Sequence, residues 1–151
     1  KGITLKEDDA VVGMGICDDL NEVMVVTQKG FGKRTRVDEY GRQSRGGKGI
    51  MTYRISEKTG ELVSLLMVND EDDIMMITSE GVVIRIHASD ISTIGRATSG
   101  VTLMRTSENN YLVAAAKTHR EEDEVEGPES EKSADSTLEE TENIDETTQE
   151  S

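Results

Sequence analysis

The sequence predicts an all-β fold of repeated four-stranded blades, incomplete within this chain and followed by a disordered acidic tail. Three observations point there. The apolar runs are short and rich in β-branched residues, too short for typical helices. Turn residues separate them, and no segment keeps an apolar face at helical spacing. Most telling, residues recur at an offset of 51: Val23-Met-Val-Val-Thr27 lies over Ile74-Met-Met-Ile-Thr78, Gly30 over Gly81, Arg34 over Arg85, Arg45 over Arg96, and Gly49-Ile50 over Gly100-Val101. A period near 50 that keeps its glycines and apolar runs is the mark of stacked blades.

In chain order, residues 11–16 form the first expected strand, and 17–22 an acidic connection. Residues 23–27 form the next strand, ending at a Gln28-Lys-Gly30 hairpin turn whose glycine accepts positive φ. A basic stretch follows. Residues 29–54 carry eight Lys/Arg against Asp38 and Glu39. If Lys33-Arg-Thr-Arg36 is extended, Lys33 and Thr35 face one side, Arg34 and Arg36 the other. Strands are then expected at 62–68, 74–78, 82–86 and 112–116, with an acidic connection at 69–73 and a turn at Ser79-Glu-Gly81. His87 is expected at a strand end. Met24, Met67, Met75 and Met76 read as core filler, and Cys17 as structural.

The charge is unevenly placed. Residues 1–120 hold 16 Lys/Arg against 17 Asp/Glu; residues 121–151 hold one against 14. The tail is rich in Glu, Ser and Thr, with scattered Val125, Leu138 and Ile144. It is expected to stay disordered, because it buries too little apolar surface to offset its ordering entropy. The division is therefore a blade region, 1–120, and a tail, 121–151. With 34% hydrophobic and 3% aromatic residues, the blade region is expected to lean on neighbouring blades or on other copies. The chain begins in the middle of a β-like pattern and reads as the C-terminal piece of something longer.

The chemistry concentrates in Arg42-Gln-Ser-Arg-Gly-Gly-Lys-Gly-Ile50. Arg45 and Lys48 flank Gly46, Gly47 and Gly49, and Arg42 precedes them. Glycines let a ligand approach the backbone, whose successive N–H groups can form an anion-binding concavity. Arg supplies a planar fork for phosphate oxygens and Lys a mobile charge. The set suits a nucleic-acid backbone rather than base reading. The second repeat keeps Arg96 and Gly100 at the same slots, which implies one phosphate contact per blade along a rim. A solvated loop is the plainer alternative.

Residues 43–49 resemble the Q-[RK]-R-G-G-[RK]-G box of the DNA gyrase A C-terminal domain, and residues 74–86 with 92–101 resemble its late blades. Ser44 stands where the box has a basic residue, so this is a degenerate copy. The resemblance implies a β-pinwheel that wraps double-stranded DNA around a basic rim and so supports ATP-dependent negative supercoiling. It carries Gln43, Arg45, Gly46, Gly47, Lys48 and Gly49 over as DNA-binding residues. Arg42, Lys33, Arg34, Arg36, Arg85, Arg96 and Arg105 join them on charge and repeat position. The implied partners are the remaining blades and N-terminal part of gyrase A, and gyrase B in the holoenzyme, in the cytoplasm. ATP and magnesium belong elsewhere in such an enzyme. The C-terminal domain of topoisomerase IV and a propeller-like protein-interaction scaffold are the competing readings.

Other chemistries lack their residues. Gly47-Lys48 is followed by Gly49, which breaks the P-loop pattern. His87 and His119 with a single Cys make no zinc site. The spacing of Asp70, Asp72 and Asp73 departs from a calcium-binding loop. Tyr40, Tyr53 and Tyr111 have no catalytic context and read as packing or rim residues. No catalytic residue, metal site or cofactor is expected in this chain, and no run approaches a membrane span.

Overall fold

A computed structural model describes residues 1–119. Chain contacts divide the molecule after Glu121, and the description concerns the first unit. The expected acidic tail lies outside the described residues.

Among the described residues seven strands form: β1 (Glu22–Thr27), β2 (Phe31–Arg36), β3 (Leu62–Val68), β4 (Asp72–Thr78), β5 (Val83–His87), β6 (Val101–Thr102) and β7 (Leu112–His119). The pairings between these strands are all antiparallel. One sheet runs β3-β1-β2-β6, the other β5-β4-β7. Short 3-10 turns at Val37–Glu39 and Ala88–Asp90 follow the β1-β2 and β4-β5 hairpins at offset 51.

The repeat governs fine detail. At each hairpin a threonine carbonyl accepts the turn glycine's N–H: Gly30 to Thr27 at 3.0 Å, Gly81 to Thr78 at 2.9 Å. Both glycines lie at positive φ, 74° and 82°, a region that side chains disfavour. A bulge interrupts each first strand at the same place, Val26/Thr27 and Ile77/Thr78. The acid near the start of each first strand holds the arginine of the next: Glu22–Arg34 at 3.3 Å, Asp73–Arg85 at 2.7 Å.

The sheets are shared between repeats, which the period alone does not reveal. β3 pairs with β1 and β7 with β4, so each repeat lends a strand to the preceding blade. The 91–105 segment also covers the outer edge of β2, through β6 and through bonds from Arg34 N–H to Ser92 O (3.1 Å) and Ile94 N–H to Arg34 O (2.9 Å).

Alternation along the strands then sorts the side chains. Met24 and Val26 of β1 meet Ile74 and Met76 of β4 between the sheets, with Val68, Ala88, Ile91 and Leu112. Each fully buried Val, Leu, Ile or Met side chain contributes about 1.5–3 kcal/mol. Val23 and Val25 pack on the opposite face against Tyr53. Met75 and Ile77 point the other way from Met76 and are each 38% exposed. Met75 is therefore not core filler here. Its repeat equivalent, Met24, is buried because a second blade covers that face.

Two further expectations are corrected. Residues 11–16 form no strand, and Met14 and Ile16 are 94% and 88% exposed. Their counterparts in β3 gain a ladder from the first strand of the preceding repeat; among the described residues no such strand precedes 11–16. The segment lies instead across β3, where a Cβ on Gly13 would stand 3.0 Å from Leu65 Cβ. Cys17, on this same stretch, is exposed rather than structural. His87 does end a strand, β5.

Asp73 supplies a pH signature. Its side chain is 1% exposed and bonds His87 Nδ1 at 2.5 Å and Arg85 Nε at 2.7 Å. The His87 bond first, then Arg85, holds its carboxyl below the ordinary value of 3.8. A depressed carboxyl stabilises the fold above its unfolded pKa, and that contribution is lost as pH falls through the folded value. Asp73→Asn is expected to lower the melting temperature at pH 7. The deficit should shrink below about pH 4. A deficit that persists unchanged at about pH 2 excludes the linkage.

Candidate nucleic-acid interface

The loops that follow the two hairpins run along the outer edge. Residues 41–54 carry Arg42, Arg45, Lys48 and Arg54; residues 91–105 carry Arg96 and Arg105; neither contains an Asp or Glu. Five acids, Asp19, Glu22, Asp38, Asp70 and Glu71, line an open recess with Arg34, Arg36 and Thr93.

The first loop is held by the N-terminal segment. Thr4 N–H donates to Gly47 O at 2.8 Å, Thr4 Oγ1 to Gly46 O at 2.6 Å, and Gly46 N–H to Gly2 O at 3.0 Å. Gly46 and Gly49 take φ of 68° and 78°, and Gly100, the counterpart of Gly49, takes 73°. Arg42, Gln43, Arg45 and Lys48 are exposed, on a loop whose backbone is fixed. The expected backbone concavity is corrected: Gly46 N–H and Gly47 N–H are spent on Gly2 O and Ser44 O. What this loop leaves open to an anion is its exposed side chains.

The two loops are tied together. Arg54 N–H donates to Thr98 O at 3.0 Å, Ser99 Oγ to Arg54 O at 3.0 Å, and Tyr53 Oη and Arg96 Nη1 to Ser99 O and Met51 O. Tyr53 is buried, which pushes its phenol up to about 12. Arg96 is thus partly committed to holding the loops in place.

Lys33 and Arg34 are corrections. Lys33 is fully buried; its Nζ donates to Gly95 O (2.7 Å), Arg96 O and Thr98 Oγ1 (3.2 Å) and sits 5.6 Å from the Tyr53 ring centre. Arg34 is 7% exposed and is engaged by Ile91 O, Asp70 and Glu22. Neither presents a charge to an outside phosphate. Arg36 is exposed but paired with Asp38 at 2.7 Å. Arg85 is half-exposed on Asp73, on a sheet face rather than on the loops. Arg105 is exposed on the loop edge, and so is Arg54, its counterpart at offset 51. Arg54 is missing from the expected set, although the repeat itself marks it.

Among the described residues no group of three or more His, Cys, Asp or Glu is placed to hold a metal ion. No described helix is long and apolar enough to cross a membrane.

Comparison with known proteins agrees with the fold. The family profile for "DNA gyrase C-terminal domain, beta-propeller" matches residues 1–18, 21–69 and 72–119. The A subunit of DNA gyrase from Staphylococcus epidermidis is 46% identical over 125 residues, covering 82% of this chain and 14% of that protein. Its Staphylococcus aureus counterpart is 44% identical over 126 residues, with the same coverage. The chain thus spans a small part of the curated relatives it matches. Among solved structures, the C-terminal domain of DNA topoisomerase IV aligns with a TM-score of 0.72 at 23% identity, over 79% of this chain and 38% of that one. The DNA gyrase A C-terminal domain aligns at 0.60 and 25%, over 64% and 33%. With its blades, its shared strands and a profile match across nearly all described residues, the chain belongs to the DNA gyrase C-terminal domain family.

Proposed function

We propose that this chain is a non-catalytic DNA-binding region of a gyrase A protein, which bends double-stranded DNA around its outer edge. The carrying observation is that edge: six cations and no carboxylate within residues 41–54 and 91–105, in a body of nearly balanced charge. Several contacts are needed, because smoothly bending 20–30 bp by 40–90° costs roughly 1–6 kcal/mol. The exposed Met75–Ile77 face, counterpart of a face buried in the first blade, supports further blades of the same polypeptide as neighbours. ATP-driven supercoiling, a gyrase B partner and the bacterial cytoplasm follow from this reading. That the curated relatives are gyrase proteins favours gyrase over topoisomerase IV.

Titrating the chain with duplex DNA across salt tests the proposal. Five or six phosphate contacts predict log K falling with log salt at a slope of about −4.5 to −5.5. A slope near zero, or no binding, rejects it in favour of a protein-interaction scaffold. Residues 121–151 bring a charge of −13, one Lys against 14 acids, to the same molecule, which opposes a polyanionic ligand. Deleting them is expected to tighten binding; unchanged or weaker binding excludes that role.

A further inference from the structure

Glu39 and Arg96, far apart in sequence, meet on the second loop. Glu39 ends the 3-10 turn after β2, and its exposed carboxylate accepts the Arg96 N–H at 2.8 Å. Inside the same turn lies the buried Lys33 ammonium, drawing the carbonyls of Gly95 and Arg96 inward. With its carbonyls turned in, the turn offers an N–H outward, to an anion. Burial lowers the Lys33 pKa, and the Glu39 charge opposes that shift. A buried ammonium, an arginine and an accessible carboxylate thus share one spot on the edge otherwise free of acids.

We infer that the Gly95–Thr98 turn is a phosphate subsite whose resting occupant is the Glu39 carboxylate, displaced when a nucleic-acid phosphate arrives. This rests on the DNA-binding reading and deepens it. A tethered carboxylate competes at high effective concentration, so the subsite is masked at rest. Because Glu39 is solvent-exposed, its release exposes no apolar surface. The vacated turn then offers one free N–H with Arg96 beside it, while Lys33 beneath only fixes the turn's shape through the carbonyls it holds. The device sets a threshold: only DNA already held by the first loop brings a phosphate close enough to exchange.

Glu39→Gln keeps an acceptor for the Arg96 N–H and removes the charge. In the full chain it is expected to bind duplex DNA roughly fivefold to tenfold more tightly at about 0.1 M salt, the share of one ordinary hydrogen bond. Its salt slope should steepen by about 0.9, one further phosphate. Independently, titration with inorganic phosphate should shift the Arg96 amide resonance at lower concentration in Glu39→Gln than in the wild type. Glu39→Asp, which keeps the charge but shortens the reach, should unmask the turn partially and gives a second route. An Arg96 amide indifferent to phosphate in both variants overturns the subsite, whatever DNA does. Wild-type DNA binding with an unchanged slope in Glu39→Gln also overturns it. An Arg96 amide that responds to phosphate in a chain that ignores DNA upholds the anion site and rejects the DNA reading instead.

Discussion

Replacing Arg42, Arg45, Lys48 and Arg54 together by Ala is expected to weaken duplex binding by about three to four orders of magnitude at about 0.1 M salt. Each neutralised phosphate releases condensed counterions and contributes about a factor of ten there. The salt slope should flatten by roughly three to four units. The fold should survive, because all four side chains are exposed and the bonds that hold their loop come from its backbone. The paired change Arg45→Ala with Lys48→Ala should cost about half as much on a logarithmic scale, since the rest of the edge still holds the duplex. Arg36→Ala is the internal contrast. That guanidinium is already neutralised by Asp38, so little affinity and no slope should be lost. Equal losses in Arg36→Ala and in the four-residue variant would mean that net charge alone, not the outer edge, attracts DNA. Arg54 decides between edge and box: it lies outside the Gln43–Gly49 box yet on the same outer edge, and its single replacement should flatten the slope by about one unit.

The sequence and the structure part company at Lys33. Its basic neighbours make it look like a rim residue, but the groups that bury it lie far along the chain, at Gly95, Arg96 and Thr98. No local pattern announces such a contact. Arg34 differs, because its fate is legible. An acid stands near the start of each first strand, at 22 and at 73, and the arginine at 34 recurs at 85, so both repeats spell a similar ion pair. The hairpins are legible for a related reason: their turn glycines and β-branched runs are local signals. Strand exchange is not, since a period fixes what repeats and not which copy pairs with which. Residues 11–16 show the consequence. They have strand chemistry, yet a strand exists only where a neighbour supplies its ladder, and β3 and β7 find theirs in the blade before.

That dependence is open to a direct test at the turn glycines. Gly30→Ala is expected to destabilise the chain by about 3–4 kcal/mol. The new Cβ would sit at φ 74°, collide with the Met104 carbonyl oxygen and stand 2.8 Å from Met104 Cγ. Relief by shifting the 103–104 backbone would weaken the bonds from Leu103 and Met104 N–H to Gly30 O, at 2.8 and 3.1 Å. Gly81→Ala makes the same chemical change at the same turn of the next repeat, at φ 82°, with nothing within 4 Å. It should cost only the left-handed backbone penalty, about 1–2 kcal/mol. The difference between the two, read from denaturant midpoints, isolates what the following repeat contributes by covering a hairpin edge. Equal costs would show that the 91–105 segment does not press on β2 in solution, and the outer edge that carries the cations would lose its support. In a longer gyrase A polypeptide the same pair becomes a probe of assembly: a Gly81→Ala cost rising toward that of Gly30→Ala would show that another strand closes over the second blade as β6 closes over the first.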